Sequence, residues 1–183
     1  MAYRGRTSAS QSPPASRSPP AGPLERSTTV RAYYEAPDYY EPAPGDPPAV
    51  FLAGGITGVE DWQRRAAAAL RRRPAIVLNP RRRDFPIGDP AQTPIQIAWE
   101  HHHLHLPGVL TLFWFPPGGS VQPIALLELG AALDNPARRL VVGADPSYPR
   151  VEDVRWQTRL ARPGEIVHAT LDDTLSAAHR LTG

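Results

Sequence analysis

The chain has 183 residues and neither a cysteine nor a lysine. Without a thiol there is no disulfide, no thiol nucleophile and no Cys-ligated zinc or iron–sulfur centre. Without a lysine there is no Schiff-base chemistry and no P-loop lysine, and all 20 of its Lys-plus-Arg residues are arginines. No apolar run is long enough to span a bilayer, and the N-terminus lacks the apolar stretch of a secretory signal, so the expected compartment is the cytoplasm. The formal charge is only +2. Although the pI of 9.3 is basic, no long basic helix or aromatic-interleaved basic strand is present, and direct nucleic-acid binding is not expected.

Proline is abundant, with 23 residues concentrated towards the start. Residues 1–30 are Ser, Pro, Arg, Ala and Gly with little to bury, which reads as a disordered tail. Residues 31–48 carry Tyr pairs at 33–34 and 39–40, which suits an extended arm or short strand packed on a domain. The periodic part, residues 49–183, reads as one α/β domain. Apolar runs at 49–53, 75–78, 109–115, 138–143 and 165–169 alternate with helical patterns at 60–73, 93–105, 123–133, 151–160 and 171–181. Strands and helices alternating at this spacing imply a parallel sheet with helices on both faces, about five strands in a doubly wound order.

Within that frame Glu128 stands out. Gln122-Pro-Ile-Ala-Leu-Leu-Glu128-Leu-Gly130 places one carboxylate among apolar residues on a helix that follows the aromatic strand Val109–Phe115. Ser120 or Gln122 can cap that helix, with Pro123 in its first turn, where a missing N–H costs nothing. Glu128 then lies near the carboxyl edge of the sheet, where open α/β folds bind ligands. Other loops converge on the same edge. Gly54-Gly55 lets backbone approach a ligand closely, and Asn79-Pro-Arg-Arg-Arg83-Asp84 brings guanidinium groups that can grip a phosphate or carboxylate. Gln96, Trp99 and Glu100 set an amide, a large ring and a second carboxylate within about one helical turn, the equipment for holding a base. Tyr148 to Arg150 and Asp153 to Gln157 are placed to close a pocket from the side. His101 and His105, one turn apart, could share a cation, but no third ligand of matching spacing accompanies them and no metal site is assigned. A complete Gly-x-Gly-x-x-Gly is missing after the first strand, which argues against a dinucleotide enzyme.

Taken in order, Phe51-Leu-Ala-Gly-Gly-Ile56, Asp61-Trp-Gln63, Asn79-Pro-Arg-Arg82, Gln96-Ile-Ala-Trp-Glu100, Phe113-Trp-Phe-Pro116 and Leu127-Glu-Leu-Gly130 resemble the nucleoside 2-deoxyribosyltransferase-like family over roughly residues 49–160. The resemblance implies a flavodoxin-like fold, a homo-oligomer, no cofactor, and cleavage of the N-glycosidic bond of a small-molecule nucleoside or nucleotide. It assigns Glu128 as the nucleophile and the Gly54-Gly55-Ile56 turn to the sugar or phosphate pocket. Asp61, Trp62, Asn79, Arg81, Arg82, Gln96, Trp99, Trp114 and Phe115, in its other motifs, are the remaining candidates for substrate contact. Classical transferases carry an Asp around the strand that here runs Leu106–Pro116, and that stretch has no carboxylate. The general acid is therefore open among Glu100, Asp84 and Asp61, with Glu100 preferred beside Trp99. A carboxylate beneath C1′ suits the oxocarbenium-like state of such a reaction. The alternative expectation is a non-catalytic nucleotide-binding module whose Arg-rich tail contacts a partner.

Overall fold

A computed structural model describes residues 32–86 and 88–183; the tail read from residues 1–30 lies outside the described residues. The apolar runs become strands at Ala49–Gly54 (β2), Ile76–Leu78 (β3), Leu110–Phe115 (β4), Arg139–Ala144 (β5) and Val167–His168 (β6). Tyr33–Tyr34 of the arm adds β1, so the sheet has six strands where the periodicity gave five. Between them lie α1 (Trp62–Leu70), α2 (Gln92–His105), α3 (Pro123–Asp134), α4 (Val151–Ala161) and α5 (Leu171–Thr182). All pairings are parallel, in the order β1-β3-β2-β4-β5-β6. Apart from the arm strand this is the flavodoxin-like doubly wound order.

Two cores follow from the alternation of side chains along the strands. Val50, Leu52, Leu112 and Trp114 point to one face, where Trp62, Ala66 and Leu70 of α1 and Leu171, Leu175 and Ala178 of α5 cover them. Phe51, Phe113, Phe115 and Val142 point to the other, beneath Trp99 of α2, Ala125 and Leu129 of α3 and Val154 of α4. Every residue of β3 and β4 is buried, as expected of strands covered on both faces. The chain leaves β2 for β3 on one side and returns to β4 on the other. The carboxyl ends of β2 and β4 therefore diverge into the crevice where such sheets bind ligands.

The arm is fastened to α2 by two hydrogen bonds. The Trp99 indole N–H donates to the Asp38 carbonyl at 2.7 Å, and the Tyr40 backbone N–H donates to His103 Nε2 at 3.0 Å. Because Nε2 accepts, the ring proton sits on Nδ1, 2.7 Å from the Trp99 carbonyl, and burial lowers the His103 pKa from its ordinary value in keeping with a neutral ring. His103→Leu should therefore leave the Tyr40 N–H buried without an acceptor and destabilise the chain by about 1–3 kcal/mol. A lower denaturation midpoint at unchanged denaturant sensitivity is the expected readout.

Candidate active site

The site grows out of the end of β2. Gly54 has φ +148°, and a Cβ there would lie 2.1 Å from the Trp114 carbonyl oxygen of β4, so only glycine fits between these two strands. The next carbonyl, that of Gly55, accepts from the Trp62 indole N–H at 2.9 Å and from Gln63 Nε2 at 3.0 Å. Both donors belong to the start of α1, which Asp61 caps by accepting the Arg64 backbone N–H at 3.1 Å. The Gly-Gly turn is thus pinned from behind, with its open side towards α3.

A cavity of about 280 Å³ occupies that side. Gly54, Gly55, Ile56 and Thr57 wall it from β2, Ser120, Gln122, Ile124 and Glu128 from the start of α3, and Glu100 from α2. Among the described residues no arginine or histidine is in its lining. Burial pushes the Glu128 carboxyl up to about 8, and the negative charge of Glu100 adds to the effect. Glu100 is also raised by burial, while the hydrogen bond it accepts from Gln96 Nε2 at 2.8 Å opposes the shift. Gln96 Nε2 lies 2.7 Å from the Pro80 carbonyl as well, so its amide ties Glu100 to the end of β3.

Gln122 was read from the sequence only as a helix cap, and its side chain caps nothing. It has a left-handed backbone (φ 51°, ψ 57°) immediately before Pro123 and is 6% exposed, and among the described residues neither amide atom has a hydrogen-bond partner. A Cβ on Gly55 would come within 2.4 Å of its Cδ, so the second glycine exists to admit this amide. A non-glycine residue at positive φ and an orphaned buried amide are both uncommon, and both gather at functional sites. The sequence signal available was the poor capping ability of Gln relative to Ser or Asp. Tyr148 steadies the loop before it: its hydroxyl donates to the Val121 carbonyl at 2.6 Å.

The remaining candidates fall elsewhere. Asn79 is buried, joining the Tyr33 hydroxyl and the Arg81 backbone N–H. Arg81 reaches the Glu60 carbonyl and Gln63, and Arg82 reaches Gln92 and lies over the Phe85 ring. Asp61, Asn79, Arg81 and Arg82 line a groove on the α1 side of β3 and not the cavity holding Glu128. Asp84 is exposed on the same loop. Trp99 and Phe115 are core residues of the α2–α4 face, and Trp62 and Trp114 of the α1–α5 face. Among the described residues no group of three or more His, Asp or Glu side chains is placed to hold a metal ion, and no helix is long and apolar enough to cross a membrane.

A doubly wound parallel sheet with two half-buried carboxylates over a Gly-Gly turn at its switch point defines an α/β protein with a candidate small-molecule site. Residues 47–148 match the family described as nucleoside 2-deoxyribosyltransferase like, and the chain belongs to that family. A comparison with curated proteins gives no match.

Between the ordinary carboxylate range and about pH 8 the folded chain keeps a proton on Glu128 that the unfolded chain gives up, so rising pH weakens the fold across that interval. Glu128→Gln removes the ionisable group. The melting temperature of the variant should exceed that of the parent by a margin that grows from about pH 5 to about pH 8, with no such trend for Glu152→Gln on the exposed end of α4.

Proposed function

We propose that this chain cleaves or transfers the N-glycosidic bond of a nucleoside or nucleotide through a glycosyl-enzyme intermediate. The observation that carries the reading is the pair of half-buried carboxylates, Glu128 and Glu100, in one cavity against the Gly54-Gly55 turn, in a chain of this family. A Glu128 carboxylate oxygen attacks C1′ while the C1′–N bond breaks, and its electron pair leaves with the base. Glu100 supplies a proton to the departing base nitrogen. Its raised pKa and its position beside the nucleophile suit it for that role better than exposed Asp84 or the α1-capping Asp61. A second base or a water then attacks C1′ and frees Glu128. The orphaned Gln122 amide holds a donor and an acceptor ready for a hydroxyl of the sugar or an edge of the base. That no cation among the described residues lines the cavity favours a nucleoside over its monophosphate.

The same reading includes a homo-oligomer. The outer face of α3 presents Ile124 (62% exposed) and Leu127 (71% exposed) beside the cavity mouth, together with exposed Gly130 and Ala131. A helix apolar on nearly every side is ordinarily covered by a partner. A non-catalytic ligand-binding module is the second reading, favoured by the proton that Glu128 retains at neutral pH, which blunts it as a nucleophile until it ionises.

Nucleosides and their 5′-monophosphates, incubated with and without an acceptor base, should yield free or exchanged base. Glu128→Ala should lower that turnover by about three orders of magnitude or more. Ligand-induced stabilisation without base release would leave the binding reading instead. Catalysis needs one proton on the pair, on Glu100 with Glu128 ionised, so the parent kcat/KM should be bell-shaped and fall above about pH 8, where the pair gives up that proton. Glu100→Gln should replace that fall by a rise with its midpoint at lower pH, because the negative charge that helps hold the proton on Glu128 is gone, and should lower the maximum because the acid is gone. An unmoved midpoint would uncouple the two groups.

A further inference from the structure

The arginines of this chain are not spread evenly. A groove of about 790 Å³ runs between α1 and the loop after β3, on the opposite side of residues 79–81 from the carboxylate cavity, and the two share no lining residue. Five arginines line it against two carboxylates, Glu35 and Asp61, whereas the whole chain carries a formal charge of only +2. Arg81 and Arg82 are held by neighbouring side chains and backbone. Arg64, Arg71 and Arg83 are different: among the described residues no hydrogen bond or ion pair engages any of their guanidinium groups.

Their placement gives the groove a direction. Arg64 of α1 and Arg71, at the cap that ends it, are seven residues apart, two turns or about 10 Å along the axis. Between them Ala67 and Ala68 leave the floor empty of long side chains, and Arg83 stands on the opposite wall. Arg71 also borders a second recess lined by Arg72 and Arg73 with no carboxylate, which extends the basic track past the end of α1. Phe85, 41% exposed, and Tyr33 add ring surface along the same wall. Free guanidiniums spaced along a trough suit a run of phosphates more than one phosphate, and rings beside them suit unpaired bases, which stack on any aromatic face. A duplex hides its base faces and would use only the charge.

We propose that the groove between α1 and the 79–85 loop binds a single-stranded nucleic acid, its phosphates on Arg64, Arg71 and Arg83 and a base against Phe85. The sequence did not suggest this because the contributing arginines come from a helix and a loop that only the fold brings together.

Fluorescence anisotropy of the full chain with a labelled single-stranded oligonucleotide of about 12 nucleotides tests it, since sites of this kind cover roughly 4–16 nucleotides. Affinity should fall with salt, with a log–log slope of about −2 for three phosphate contacts on a single strand. The triple variant Arg64→Ala/Arg71→Ala/Arg83→Ala should bind at least about tenfold more weakly with a shallower slope and an unchanged melting temperature, and Phe85→Ala should weaken binding at unchanged slope. Arg155→Ala/Arg159→Ala on α4 should bind like the parent. Glu128→Gln should also keep full affinity, so failure of the groove and failure of the cavity reading are separable. Parent-like binding by the triple variant, or equal affinity of the parent for a duplex of the same length or for poly-glutamate, would overturn the proposal.

Discussion

The backbones of β2 and β4 approach at the switch point so closely that nothing larger than a hydrogen fits on Gly54, and the site is built outward from that contact. With Gly54 locked against the Trp114 carbonyl, the chain must turn at once, and Trp62 and Gln63 fix the turn by taking the Gly55 carbonyl. The bare Gly55 then leaves room for the Gln122 amide to lie against it, in a left-handed conformation that its loop sustains through Tyr148. Rigid elements on three sides set the relative positions of Glu100, Glu128 and the turn without help from a ligand. Preorganisation of this kind is where active sites gain most, because dipoles and charges need not rearrange when bonds change.

Charge is sorted by the same geometry. The short segment after β3 has Pro80 on the cavity side and Asn79 and Arg81 on the other, so among the described residues the guanidiniums line one recess and not the other. An Arg beside Glu128 would hold its carboxylate ionised and low in pKa. Its exclusion leaves burial and Glu100 in control, which is why one proton is retained between two acids near neutrality. Such a pair titrates as a unit and shares its proton.

Much of the fold was legible in the sequence because its strands are short apolar runs closed by Gly or Pro and its helices carry period-3.6 faces. The helix from Pro123 and the strand ending at Phe115 lie where the periodicity put them. Two-residue strands are below what periodicity resolves, so Tyr33–Tyr34 read only as an arm whose pairing with β3 depends on a partner far along the chain. The site divides in the same way. Gly54 and Gly55 could be placed at the end of the first strand, and Glu100 and Glu128 within their helices, because the pattern gives those elements; that the four line one cavity is what the fold adds. Trp99 and Asn79 could not, since an indole or an amide looks the same in sequence whether it faces a ligand or bonds to the arm, as these do. Gln122 depended on a backbone torsion, and side-chain pattern alone carries no record of torsions.

The outermost strands of the sheet are also its shortest: β1 and β6 have two residues each. An open sheet edge presents a row of unpaired backbone groups that invites another chain to add to it, and long flat edges are the ones that aggregate. Here the central strands, six residues each in β2, β4 and β5, are fenced by margins too brief to template a neighbour. Copies of this chain are thereby steered away from growing one continuous sheet, and helix surfaces are left as the ground on which they can meet.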